Sequence, residues 1–524
     1  MFIKISAKNN IKYASLVSSY REDGKVKHRQ LLNLGRLELV ENNDSLYRLG
    51  LKLIELATRK KAAMLSKDSY ANILNYGYFA YKKLWDGFGL PDILNKKEVA
   101  GNIDFSLNDS VFFMGITHLL NPSSKLYAYN RQKRYYDLNE VKLHNIYRSL
   151  DILAKNKERI EEYLFNKKAD LFNLSLDVVF YDVTTFYFES VKKDSLKDFG
   201  YSKDNKLNEV QVVLGLLIDK DSVPIGYELF PGNTYEGKTL EVSLEKLKKR
   251  FNIDRVIVVA DKGMNSKINL QKIKDMGFDY IISSRLKNFK EDMLKKVFSK
   301  EGYVKEKTYS YKKIEYDGIS LIAAYSEERA LLDREKRKKL IEKAKELLKN
   351  PSSVTASNKR GGKKYIKEQR CSFNLDTQAI EKDERFDGYY VIQTSKPDLT
   401  PKEIISSYHN LYRIEESFRI MKSTMEVRPI FHWTESRIKG HFVVCFLSFL
   451  LERTLEFKLK DKKIDYSPEA IKEALNLMNY SEINIGEEKI LIKSNPVKLA
   501  NQIFSTLHIR PFTNKLPVKL IAQS

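Results

Sequence analysis

The sequence predicts an α/β protein: one mixed β-sheet flanked by helices, preceded by a β-hairpin and a helical region, and interrupted by an inserted subdomain before its last helices. Three observations predict it. Runs of strand length, rich in Val, Ile, Phe, Tyr and Thr, recur between residues 174 and 284. The second and third are joined by the turn-like Lys220-Asp221-Ser222, while the later ones alternate with amphipathic helical stretches. Helical periodicity prevails before residue 165 and again after residue 402.

Taken in order, residues 13–21 alternate as a strand, Glu22-Asp23-Gly24-Lys25 has turn chemistry, and 26–36 resume the alternation, which predicts a hairpin. Residues 46–165 read as helices, broken at Gly89-Leu90-Pro91 and at Asn121-Pro122-Ser123-Ser124. Within them Arg131-Gln132-Lys133-Arg134-Tyr135-Tyr136 forms a basic, tyrosine-bearing cluster of the kind that suits nucleic acid.

The next segment predicts strands at 174–188, 210–219 and 224–230, a helix at 240–251, a strand at 255–260, a helix at 267–276 and a strand at 279–284. The order βββαβαβ sets hairpin-linked strands beside a βαβ crossover in one sheet, which is the order of a ribonuclease H-like core. About a hundred residues then intervene: tyrosine-rich strand candidates at 303–325, a basic helix at 334–349 and a Ser/Gly/Lys loop at 351–364. Helical pattern returns at 402–425 and at 437–457. The expected organisation is a hairpin (1–40), a helical DNA-binding region (41–170), the first part of the core (171–290), an insertion (291–400), the closing core helices (401–460) and a C-terminal region suited to oligomerisation (461–524).

Composition narrows the function. The 524 residues are 42% hydrophobic and 11% aromatic, enough for a buried core despite 31% charged residues. Lys plus Arg number 92 against 69 Asp plus Glu, and a surplus of 23 positive charges points to a polyanionic partner. The longest apolar run, 442–451, is about half of what a spanning helix needs, and the start MFIKISAKNN has no apolar signal core, so a cytoplasmic protein without membrane attachment is expected. Cys371 and Cys445 lack disulfide or zinc-finger spacing and read as ordinary residues. No GxxxxGK[ST] loop and no GxGxxG after a strand argues against nucleotide hydrolysis or dinucleotide chemistry.

Carboxylates supply the chemistry. Asp182 sits inside the apolar strand Phe180-Tyr181-Asp182-Val183-Thr184-Thr185, where a charge is costly unless paired or bound to metal. Asp261 follows Val256-Ile257-Val258-Val259-Ala260 at a strand's C-terminal end, where α/β sheets gather their ligand sites. For a third carboxylate, Glu415 and Glu416 compete. Leu411, Ile414, Phe418, Met421 and Met425 form one apolar stripe. At ~100° per residue Glu415 flanks that stripe, whereas Glu416 lies nearly opposite and is expected to face water. On a continuous helix Tyr408 and Lys422, seven residues either side of Glu415, share its face.

The segment Tyr408-His409-Asn410-Leu411-Tyr412-Arg413-Ile414-Glu415, continuing to Lys422, resembles the Y-x2-R-x3-E-x6-K signature of the DDE transposases of bacterial insertion sequences. Tyr408, Glu415 and Lys422 stand in register; Leu411 holds the Arg position, leaving Arg413 or Arg419 to take that role. Tyr181-Asp182-Val183-Thr184-Thr185 resembles the family's first-Asp strand, Gly232-Asn233-Thr234 with Thr239 the loop before its first core helix, and Ala260-Asp261-Lys262-Gly263-Met264 its second-Asp motif. The resemblance runs from the hairpin to about Leu451 and implies a DNA transposase with an insertion between the second Asp and the Glu.

It implies further that Asp182, Asp261 and Glu415 are catalytic and hold two divalent ions, Mg²⁺ or Mn²⁺, with Asp182 bridging them. Tyr408, Arg419 and Lys422 would contact DNA phosphates. The expected partner is double-stranded DNA, as element ends and as target, bound by a homodimer at the nucleoid. Tyr309, Tyr311 and Tyr316 are candidates for stacking on an unpaired base. Two other readings stay open: a ribonuclease H-like nuclease without strand transfer, and a non-enzymatic DNA-binding derivative.

Overall fold

The computed structural model describes residues 2–515 except 9–10, 42, 44, 47, 51, 54–71, 173–176, 201–207, 252, 254, 317–318, 357–360, 370–371, 397, 428–429, 431 and 486–487. Cys371 and part of the anticipated 351–364 loop lie outside the described residues. The chain divides into two compact units, Met1–Asn72 with Glu482–Ile492 and Asn514–Ser524, and Ile73–Ser481 with Lys493–Thr513.

In the first unit β1 (Phe2–Lys8), β2 (Ile11–Glu22) and β3 (Lys25–Arg36) form an antiparallel sheet in that order. The β2–β3 turn is the one anticipated: Asp23 and Gly24 have φ of 49° and 70°, and two successive positive φ values match the twist of a tight hairpin. β1 adds a third strand that the hairpin reading did not include.

The second unit holds the large sheet. Before it come α1 (Leu107–Leu120) and α2 (Leu143–Phe172), and both pack on α8 (Glu435–Asp461). α1 and much of α8 are buried on every side, which explains their near-continuous apolar sequence: each is an interior helix, not an amphipathic surface one.

The core follows the predicted order: β4 (Val178–Tyr187), β5 (Gln211–Asp219), β6 (Pro224–Pro231), α3 (Glu236–Phe251), β7 (Ile257–Ala260), α4 (Lys267–Asp275) and β8 (Asp279–Ser283). β4, β5 and β6 pair antiparallel, whereas β4 pairs parallel with β7 and β7 with β8. The resulting β6-β5-β4-β7-β8 order is ribonuclease H-like. α3 covers one face over Tyr181, Val183, Val258 and Ala260. α8 covers the other, with Phe442 5.5 Å from the Phe186 ring and Phe446 5.5 Å from Tyr227.

Apart from a short antiparallel pair, Ile366–Gln369 with Ser372–Leu375, the described strands of the intervening segment do not build a sheet of their own. β9 (Val304–Lys305), β10 (Ser310–Tyr316), β11 (Ile319–Tyr325) and β12 (Tyr389–Thr394) continue the core sheet beyond β8, giving β9-β10-β11-β12-β8-β7-β4-β5-β6. β12 pairs antiparallel with β8 and satisfies backbone groups that an edge strand would leave open. α5 (Glu327–Leu348) begins earlier than anticipated, at the Ser326 cap whose hydroxyl accepts from the Arg329 amide.

Candidate active site

Asp182 lies at the centre of β4. Val179, Tyr181 and Val183 join the core under α3, so the pleat directs Phe180, Asp182, Thr184 and Phe186 to the opposite face. Behind Asp182 the strand is pinned to α3: the Tyr181 hydroxyl donates to Thr239 Oγ1 at 2.8 Å and accepts from Ser243 Oγ at 3.2 Å. Gly232 admits the loop before α3, since a Cβ there would meet the Gln211 carbonyl oxygen at 2.2 Å. The family-like Gly232 and Thr239 positions therefore support the strand. Asp182 itself is half-buried, and its Oδ1 accepts from the Val183 amide at 2.7 Å.

Asp261 reaches the same place by register. Tyr181 is the partner of Ala260 across the parallel β4–β7 pair, so Asp182 and Asp261 stand one step beyond it on neighbouring strands, ~4.8 Å apart in backbone spacing. Asp261 is still extended (φ −76°, ψ 166°), which sends both carboxylates from the same sheet face before the turn Lys262–Met264 leads the chain away. Ala260 in turn partners Ile282 of β8, so Ser283 occupies the equivalent step there. Asp182, Asp261 and Ser283 thus form a row across three parallel strands. Ser283 was missed in the sequence, where its one signal is its place at the end of the last core strand.

The Glu-bearing helix departs from expectation. Helix 402–425 is interrupted at Asn410-Leu411, giving α6 (Pro401–His409) and α7 (Tyr412–Lys422). Around the break Leu411, Arg413 and Ile414 amides bond to carbonyls three residues back, and this tighter winding replaces the α-helical turn. Glu415 and Lys422 remain on one helix; Tyr408 belongs to the preceding one. Tyr408 nevertheless reaches the carboxylate row. Burial raises its phenol pKa above the ordinary value, the hydrogen bond with Ser283 opposes the rise, and the Asp261 and Glu415 carboxylates add to it. The hydroxyl is thus held at Ser283 of β8, within the field of the Asp261 and Glu415 carboxylates.

The apolar stripe of α7 is buried as predicted, with Leu411, Ile414, Phe418, Met421 and Met425 all 7% exposed or less. The two glutamates differ in another way than helix phase suggested. Glu415 is exposed, whereas Glu416 is half-buried and lies 3.7 Å from Arg453 of α8 and 3.5 Å from Arg419. The expectation that Glu416 faces water is corrected: α8 packs beside α7 and supplies a buried guanidinium to that side of the helix. Arg413 donates to the Lys220 carbonyl, and Lys422 Nζ lies 5.8 Å from the Phe186 ring centroid, on the Asp182 face of β4.

An open cleft of about 710 Å³ runs from Asp261 and Lys262 toward α5 and Asp383. Several of its cations are paired, Arg337 with Asp387, Lys287 and Lys364 with Asp383, and Arg329 with Asp333 at 3.8 Å. Lys262, Arg285 and Lys336 also line it and form no ion pair among the described residues. Of the three stacking candidates, Tyr311 is buried at 9% exposure, Tyr309 is half-buried beside His409, and Tyr316 is exposed.

The family model described as the transposase DDE domain matches residues 174–451, more than half of the chain. The chain belongs to the DDE transposases. Residues 3–62 of this transposase match the IS1634 family transposase N-terminal domain, which makes it an insertion-sequence enzyme. It is accordingly a DNA transposase, a metal-dependent polynucleotidyl transferase of a family that generally uses divalent ions.

Among solved structures the transposase is distantly similar to the piggyBac transposase synaptic complex with hairpin DNA. The identity is 10%, the TM-score is 0.39, and the match covers 78% of this chain and 82% of that one. A second likeness, to the Mos1 transposase paired-end complex with left transposon end, has 12% identity and a TM-score of 0.15, covering 33% and 57%. No curated protein matches it. No described helix of the transposase is long and apolar enough to cross a membrane. Among the described residues no group of three or more His, Cys, Asp or Glu is gathered so as to hold a metal ion. Asp182 and Asp261 are brought together by strand register, and Glu415 approaches from α7 without completing such a group.

Proposed function

We propose that Asp182, Asp261 and Glu415 are the catalytic carboxylates and that the transposase binds the ends of its own element, cuts them and joins them to target DNA. The observation that carries the reading is the register: two aspartates one step beyond Tyr181 and Ala260, on one sheet face, with Tyr408 hydrogen-bonded to Ser283 of the same row. The donor set fits hard divalent cations, being all carboxylate oxygen and open to solvent at Glu415.

Two Mg²⁺ or Mn²⁺ ions, which Asp182, Asp261 and Glu415 would hold, would supply Lewis-acid activation of a water or 3′-hydroxyl and of the leaving oxygen. The protein's own groups do the rest. The Tyr408 hydroxyl, kept protonated, donates to a phosphate oxygen beside Asp261; Arg419 and Lys422 on α7 hold the backbone of the cut strand. The cleft with Lys262, Arg285 and Lys336 continues the path of that strand along the insertion, and the helical region 41–170 adds phosphate contacts. A homodimer on paired ends, joined through 461–524 and located at the nucleoid in the cytoplasm, completes the proposal.

The test incubates the purified protein with a labelled element end, a target plasmid and Mg²⁺. Joined product supports the reading. Cutting without joining makes the protein a nuclease, and binding without cutting makes it a non-enzymatic derivative.

A further inference from the structure

Apart from the carboxylate row, a pocket of about 220 Å³ is lined by Lys125, His118, His432, His441, Ser124 and Tyr147. That volume is several times the ~30 Å³ a water occupies in the liquid. His118 lies in the last turn of α1, Lys125 opens the helix Lys125–Asn130, His441 is on α8, and His432 lies between α7 and α8. Three of the chain's seven histidines thus surround one lysine.

Lys125 is 6% exposed, and among the described residues it has no acidic partner. Glu426, at the exposed rim, is the one carboxylate lining the pocket and forms no ion pair with it. Behind the two histidines the Cys445 thiol, whose charge would act on Lys125, lies 3.5 Å from Nε2 of both His118 and His441. Burial pushes that thiol up to about 12, so it carries no charge at neutral pH. Burial, and after it the Lys125 charge, lowers His118 and His432 to about 3, leaving their rings neutral. An ammonium buried among neutral donors is costly unless an anion meets it.

We propose that this pocket binds a phosphate group, with Lys125 as its counter-charge and the ring N–H groups of His118 and His432 and the hydroxyls of Ser124 and Tyr147 as donors. Several N–H and O–H donors converging beside one cation suit the multiple acceptor oxygens of a phosphate. The pocket also continues into a basic surface. The helix that Lys125 opens leads to Arg131, whose guanidinium lies 4.3 Å over the Tyr127 ring, and then to Lys133 and Arg134. The phosphate is either a diester of bound DNA or free inorganic phosphate.

The full-length protein and Lys125→Met are melted in sodium phosphate and in sodium chloride of equal ionic strength. Phosphate is expected to raise the melting temperature of the wild type and not of the variant. The variant should melt no lower than the wild type without phosphate, because it loses a buried charge. In a second arm both bind a duplex carrying the element end across a salt series; a slope of log K against log salt reduced by about one in Lys125→Met assigns the pocket to a DNA phosphate. An unchanged slope with a lost phosphate response assigns it to free phosphate. Should Lys125→Met fail to fold, Lys125→Gln, which removes the charge and keeps a polar side chain, carries the same comparison. The proposal is overturned if the substitution alters neither the phosphate response nor the slope. Neither readout involves cleavage, so the outcome is independent of the carboxylate assignment.

Discussion

Glu416 lies 3.7 Å from Arg453, a buried arginine of α8 that also holds Glu456 at 2.7 Å, while its neighbour Glu415 is exposed beside Tyr408. One glutamate ties α7 to α8 and the other is exposed, where the proposed mechanism has it face the cut strand. Glu415→Gln should abolish cleavage and joining with melting and DNA binding nearly intact, because it removes a carboxylate and little volume. Glu416→Gln should keep cleavage and lower stability by about 1 kcal/mol, since the ion pair is only partly solvent-screened. Cleavage assays and urea denaturation of both variants decide it. Loss of cleavage in Glu416→Gln alone would reverse the assignment.

Neighbouring carboxylates repel one another until a cation joins them, so Mg²⁺ or Mn²⁺ should raise the melting temperature. At a concentration a hundred times Kd the gain is about 2.7 kcal/mol. Asp182→Asn and Asp261→Asn should each lose most of that gain. A melt indifferent to millimolar metal in the wild type would count against the site.

Tyr408→Phe removes the hydroxyl that bonds to Ser283 in the field of Asp261 and Glu415 and keeps the half-buried ring. Cleavage should fall roughly 10²-fold, as when one positioned donor is lost, with the fold unchanged. Ser283→Ala should produce a smaller loss in the same direction. An unaffected rate in Tyr408→Phe would show that the hydroxyl serves packing alone.

The insertion cannot be tested by deletion, because β9 to β12 pair onto β8 and their removal would strip the sheet edge. Replacing Lys262, Arg285 and Lys336 by Ala is the milder change. Affinity for the element end should fall, and the slope of log K against log salt should decrease by about three if each meets a phosphate. An unaltered slope would remove the cleft from the DNA path.

Buried Glu452 on α8 accepts from the Tyr81 hydroxyl, and burial first, then Glu456, pushes its carboxyl pKa up to about 8. The folded state therefore keeps a proton that the unfolded chain releases near its ordinary value of 4.5. Stability from this group is complete below that value and declines as pH rises toward 8, by up to about 1.4 kcal/mol per pH unit. Denaturation series from pH 5 to about 8.5 should show the decline in the wild type and a flatter profile in Glu452→Gln. Identical profiles would refute it.

Much of this protein was legible in the chain alone. The hairpin turn at Asp23-Gly24, the order of the core strands and helices, Asp182 within an apolar strand, Asp261 at a strand end and the buried stripe of α7 follow from contacts a few residues apart, where periodicity and turn chemistry act directly. What remained for the tertiary structure lies between distant segments. Only strand register sets Ser283 beside Asp261 and under Tyr408, only the packing of α8 on α7 gives Glu416 its arginine, and only the open edge of β8 turns the inserted strands into an extension of the core sheet. Local pattern carries no information about which distant backbone or charge will stand opposite, because those pairings are decided by how whole elements pack.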